Sequence, residues 1–323
     1  MPAPQRLRGI AVLIAITVLS FCSIKKMAIN KVANILTAPG GGKVFTADND
    51  PELVGDALPF AIKMYESLLA SAPYHRGLQL QTGSLYIMYA NAFLQTPAAM
   101  LPEREYQQQE FLLQRAKNLY LRGRDMLLSG LDRRHPGFRK ALENRHFDQA
   151  CQGMGRDEVP FLYWSGAGWI AAFAIDPFDM DLGLSLPEAA ALMERVLKLE
   201  PTFDSGAIHD FYVLYYGSLP DYMGGDLKKA REHFEKAISA TGGRLTSPYL
   251  SLATTVTVKE QNAQEFKELL EKVLAIDAQG TEDNRLLNII NQRKARWFLD
   301  HIADFFVDLD VPAEEGEPKE KSQ

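Results

Sequence analysis

Residues 185–203 read SLPEAAALMERVLKLEPTF, and this stretch decides the fold. Its apolar positions include Ala189, Leu192, Met193, Val196 and Leu197. That spacing places all five on one face of a helix with 3.6 residues per turn. Ser185 and Glu188 have the S-x-x-E spacing of a capping box, and Pro201 stops the segment because proline cannot continue a helix. The same period returns on both sides. Leu58, Ala61, Ile62, Tyr65, Leu68 and Leu69 form one such face, and Leu227, Ala230, Phe234, Ala237 and Ile238 another. The second follows Asp226, a good N-cap, and stops at Gly242 and Gly243. Phe266, Leu269, Leu270, Val273 and Leu274 form a further face, and strand-like alternation appears only over 254–258. The fold expected is all-α.

These helices also resemble one another. The second helix of a tetratricopeptide repeat carries a small residue, a large one four later, a small one three later, and then a proline. Ala189, Met193, Val196 and Pro201 match that spacing, and so do Ala61, Tyr65, Leu68 and Pro73. Ala230, Phe234 and Ala237 match without the proline, as do Ala116, Tyr120 and Gly123, while Phe266, Leu270 and Val273 match by size alone. Small residues let paired helices approach, and the large one fills the gap between them. The intervals between anchors are uneven, so the expected architecture is an irregular superhelix of TPR-like pairs with insertions around residues 135–160 and after Asp210.

Composition narrows the function. Hydrophobic residues make up 46% of the 323, charged ones 24%, and 41 acids outnumber 35 bases. Without a basic surplus or a long basic run, nucleic acid is not an expected partner. The two cysteines, Cys22 and Cys151, cannot build a disulfide framework. No zinc or protease-type metal signature occurs, so neither metal nor cofactor is expected. Arg6 and Arg8 precede an uncharged run from Gly9 to Phe21, shorter than a bilayer span and suited to the hydrophobic region of a secretory signal. Residues 1–21 therefore read as a signal peptide. Cys22 stands where a bacterial lipoprotein is acylated, although Phe21 replaces the small residue usual before it. An ordinary signal or short anchor with an incidental cysteine is the other reading. Residues 22–50 read as a lipidated flexible tether, 51–309 as the helical-repeat domain, and 310–323, rich in acids and proline, as a disordered tail.

Three segments of the second half narrow the reading further. FLYWSGAGWIAAFAIDPFDMD (161–181), GAIHDFYVLYYGSLPDYMGGDLKKAREHFEKAISATGG (206–243) and NQRKARWFLDHIADFF (291–306) closely resemble the T-component family of tripartite ATP-independent periplasmic (TRAP) transporters. The resemblance spans about residues 53–306. It implies a periplasmic lipoprotein held to a bacterial membrane by its lipid. It also implies a homotrimer that binds the transporter's periplasmic substrate-binding protein and passes a ligand, such as a small apolar one, through a cleft or channel. A generic envelope-assembly scaffold of the same repeat type is the alternative, and an enzyme is disfavoured for want of any catalytic signature.

Candidate site residues follow. Tyr163, Trp164, Trp169 and Phe173 form an aromatic segment interrupted by Ser165-Gly166-Ala167-Gly168, which lets a helix or a ligand approach. They read either as helix-packing core or as cleft lining, with Trp169 assigned to the cleft and Trp164 to packing. His209, Asp210 and Tyr212 are candidates for polar contacts in a cleft rather than catalysis, because neighbours on a helix point about 100° apart. Tyr86 and Asn91 are weaker lining candidates. Arg293 and Arg296, beside Trp297, read either as a cationic surface for a partner or as a solvated helix face.

Overall fold

The computed structural model describes residues 27–38, 40–280 and 282–307, and its regular elements there are all helical. Helix α1 covers 27–36, followed by α2 (Lys43–Thr46), α3 (Pro51–Ser71) and α4 (Arg76–Ala90). A π-helical turn, Asn91–Gln95, leads into α5 (Thr96–Ala99) and the long α6 (Tyr106–Arg134). Short α7 (Phe138–Glu143) and α8 (Phe147–Cys151) precede α9 (Val159–Ile175). Then come α10 (Met180–Leu184), α11 (Leu186–Leu199), α12 (Phe203–Ser218) and α13 (Leu227–Thr241). The chain continues through α14 (Ser247–Leu252), a second π-helical turn (Ala253–Thr257), α15 (Ala263–Ala275) and α16 (Arg285–Asp300).

Sequential long helices pack antiparallel, and small residues set how closely. Along α4 and α6, Gly83 lies against Leu127 and Gly123, and Gln79 against Gly130. Rising numbers on one helix meet falling numbers on the other. Gly130 against Phe161 and Gly168 against Tyr120 do the same for α6 and α9, and Gly166 against Met193 with Trp169 against Ser185 does so for α9 and the start of α11. The anchor positions are buried accordingly: Ala116, Ala189, Met193, Val196, Ala230, Phe266, Leu270 and Val273 have no exposed surface. Tyr120, the large residue of its anchor, is 1% exposed, and its hydroxyl donates to Gln95 at 2.5 Å. Lys117 ties α6 to the loop after α9 through Asp176 at 2.8 Å and Asp179 at 2.7 Å.

The helices then close on themselves. α4 packs on α9, α9 on α12, α12 on α14, α14 on α16, and α16 returns to α3 and α2. Leu286 and Ile290 of α16 share an apolar cluster with Val54, Leu58 and Ile62 of α3. Arg293 clasps both carboxylate oxygens of Glu52, with Nη2 to Oε2 at 3.0 Å, and Arg285 donates to the Ala47 carbonyl at 2.8 Å. The result is a closed circuit of helix contacts in which α9, α12, α14 and α16 follow one another.

Several expectations change. A free tether over 22–50 does not match the described part, because Ala33 is fully buried. Leu36 accepts from the Tyr65 hydroxyl at 3.1 Å, and Lys43 pairs with Asp283 at 2.6 Å. Ser185 and Glu188 form no capping box. The Ser185 hydroxyl instead accepts from Trp169 Nε1 at 2.9 Å and donates to Leu182, and Glu188 faces Arg145. Residues 254–258 are helical, and Thr255 and Thr257 return their hydroxyls to carbonyls four residues back. Asp226 and Gly242 do cap α13, by a side-chain bond to Lys229 N–H and by a left-handed backbone. The signal peptide, Cys22 and the 310–323 tail lie outside the described residues.

Candidate functional site

Four helices each contribute one polar group to a common region: Tyr163 from α9, Asp210 from α12, Ser251 from α14 and Lys294 from α16. Burial pushes the Asp210 carboxyl up to about 6, against the opposing influence of the nearby Ser251 hydroxyl and of the positive Lys294. Its Oδ1 is buried and has no hydrogen-bond partner. Burial likewise lowers the Lys294 pKa, and Asp210 is the charge that opposes this. The two charges attract without forming an ion pair within 4.0 Å. Burial raises the Tyr163 pKa, helped by the negative charges of Asp204 and Asp210. Protein surrounds Tyr163, Asp210 and Lys294, yet all three keep part of their accessible surface.

Local structure positions them. α12 opens with three left-handed residues, Asp204 (φ 45), Ser205 (φ 56) and Gly206 (φ 83). A side chain at Gly206 would come within 2.8 Å of Ala240, so glycine suits both the angle and the space. This turn leaves Phe203 against the Tyr163 ring, centroids 5.2 Å apart, and Asp204 near enough to act on the tyrosine's charge. α16 is fixed by a buried polar cluster. The Asn288 carbonyl accepts from the Thr246 hydroxyl at 2.8 Å, and Asn291 Nδ2 reaches Ser247 at 3.0 Å and Thr246 at 3.1 Å. Satisfied buried networks of this kind hold one helix at one register against its neighbour.

The other sequence candidates separate. Trp169 does not line the interior: it is 7% exposed, under the Arg124 guanidinium at 4.7 Å and bonded to Ser185, so it belongs to the packing of α6, α9 and α11. Phe173 is buried in the same cluster. Trp164 is half-buried, its ring edge-on to Tyr163 with centroids 5.5 Å apart. Tyr86 sits in the α3–α4 cluster beneath Arg122, its pKa raised by burial and the adjacent Glu66. Asn91 opens the π-helical turn and is exposed. Arg293 is engaged with Glu52 and is not a free surface cation, while Arg296 is exposed. Lys294 and Ser251 were not legible as site residues, since Lys294 lies in QRKARW and reads as one more cation of a solvated helix. The available signal was that Leu287, Asn291 and Lys294 share one face of α16 at spacings of four and three.

His209 points away from Asp210, towards α13, where its Nδ1 lies 3.0 Å from His233 Nδ1 and both rings are 8% exposed. Tyr212 lies tilted against His233, centroids 4.7 Å apart, and Tyr216 flanks it at 5.8 Å. One neutral ring donates and the other accepts, an arrangement that protonation breaks. Burial lowers both pKa values, His233 to about 4, with His209 and Lys236 adding to the effect on His233. A depressed histidine contributes stability that is complete above its unfolded pKa, about 6.5, and is lost as pH falls below it. Thermal unfolding between pH 7 and 4.5 should therefore show a loss of up to about 1.4 kcal/mol per pH unit per histidine. His233→Gln should flatten that dependence, and an unchanged slope in the variant would refute the assignment.

The described residues form an all-helical protein in which Tyr163, Asp210, Ser251 and Lys294 come from four different helices, and among those residues there is no cluster of three metal-ligating side chains. The model of the TRAP transporter T-component family matches residues 47–306, and the chain belongs to that family. It is also similar to a Treponema pallidum (strain Nichols) protein described as an uncharacterized protein. The two are 35% identical over 302 residues, covering 89% of this chain and 94% of the other. No helix among the described residues is long and apolar enough to cross a membrane.

Proposed function

We propose that this protein is a periplasmic lipoprotein accessory of a TRAP transporter. It docks the substrate-binding protein as a homotrimer and takes a small ligand into the interior of its ring of TPR-like helix pairs. Family membership supports the transport role. The observation that carries the ligand reading is the enclosed Tyr163–Asp210–Lys294 group, because unpaired interior charges are costly and persist where they meet a ligand. Acylation at Cys22 would hold the ring at a membrane surface, and antiparallel helices meeting at small residues support the repeat reading. Light scattering with the cognate binding protein tests docking and assembly together. A mass of three protomers, increasing when the partner is added, is expected; a monomer that leaves the partner unshifted at tens of micromolar would overturn the proposal.

A further inference from the structure

Resting on the reading that the ring interior takes a ligand, we propose that Lys294 and Asp210 together select a zwitterionic head group of the α-amino acid type with an apolar side chain. Two observations on different helices carry this. The Lys294 ammonium has no hydrogen bond and no ion pair within 4.0 Å, its only electrostatic partner being the more distant Asp210. Asp210 Oδ1 is buried without a hydrogen-bond partner, and the Ser251 hydroxyl acts on the same carboxyl. The two opposite charges thus face one interior region without neutralising one another.

Each ligand charge class leaves a different remainder. A simple anion at Lys294 sets a second negative charge beside Asp210 and leaves the Oδ1 acceptor unmade. A simple cation at Asp210 repels Lys294 and leaves the ammonium unpaired. A neutral ligand satisfies neither charge. A head group with a carboxylate and an ammonium a few ångströms apart completes both, and the site's balance of one positive and one negative charge matches its net neutrality. Exposed leucines neighbour both charges along their helices. Leu214 follows Asp210 by one turn of α12, and Leu287 precedes Lys294 by two turns of α16; they are 42% and 38% exposed, large for leucines of a packed ring. Tyr163 adds an aromatic surface with a hydroxyl held in its neutral form.

The test is a calorimetric titration of the full chain with four probes of similar body: L-phenylalanine, 3-phenylpropanoate, 2-phenylethylamine and 3-phenylpropan-1-ol. Phenylalanine is expected to bind at least about tenfold more tightly than each of the other three. Lys294→Met should reduce it to the affinity of phenylethylamine, and Asp210→Asn to that of phenylpropanoate. The probe series on the unaltered protein decides the matter even if a variant unfolds. Phenylpropanoate or phenylethylamine binding as tightly as phenylalanine overturns the inference. If the alcohol binds and phenylalanine binds no better, the inference fails while the ligand reading stands. If no probe binds, both fall.

Discussion

Replacing Trp169 with alanine is expected to destabilise the protein by about 3–5 kcal/mol, among the largest losses available to a single side chain here. The ring is 7% exposed, lies under Arg124 and anchors its Nε1–H on Ser185. Removing it takes away the filler between α6 and α9 and leaves the Ser185 hydroxyl without its donor. For a chain this size that corresponds to a fall in the unfolding midpoint of roughly 4–9 °C. Trp169→Phe separates the two contributions: most of the volume stays, and the loss should shrink to about 1–2 kcal/mol for the missing hydrogen bond and residual cavity. Differential scanning calorimetry on both variants measures this. A Trp169→Ala loss below about 1 kcal/mol would mean the ring is not a packing element.

The second large effect has a counterintuitive sign. Alanine is the better helix former by about 1 kcal/mol, so Gly123→Ala in the middle of α6 would stabilise a solvent-facing helix. Here a Cβ would come 2.6 Å from the Gly83 carbonyl oxygen and 2.8 Å from Ile87. The nearer contact is backbone, which cannot swing aside, so α4 and α6 must move apart and loosen the cluster beneath them. A net loss of about 1–3 kcal/mol is expected, measured by urea unfolding. Gly183→Ala is the control, since its Cβ would meet nothing nearer than 3.6 Å, and it should be neutral or slightly stabilising. Equal behaviour of the two variants would remove the close crossing from the explanation of the fold.

Both predictions bear on what was readable in advance. The small-large-small spacing at Ala116, Tyr120 and Gly123 is a statement about helix crossing, and the crossing is there: Gly123 touches α4 and Tyr120 fills the gap. The aromatic segment of α9 was readable as important but not by face. Trp169 lies six positions beyond Tyr163, more than one and a half turns, so the two rings look in different directions, one into the packing and the other inward. The capping box failed for a related reason. Ser185 had two possible partners, its own helix N-terminus and an indole sixteen residues upstream, and the tertiary contact took the hydroxyl. The tether reading failed because 27–36 buries little of itself: Ala33, the one fully covered position, is too small to announce a packed helix.

What the sequence by itself determined is the helical class, the positions at which helices cross and the family resemblance, since all three depend on periodicity and on short segments. What only the tertiary structure decided is the return of α16 to α3, and with it the site. Ring closure depends on contacts between residues some 240 apart, such as Glu52 with Arg293, that no local pattern encodes. The same closure turns Lys294 from one of several cations in QRKARW into a buried charge within electrostatic reach of Asp210. A lysine's physical role depends on whether water or protein surrounds it, and that is a property of the assembled helices rather than of any one of them.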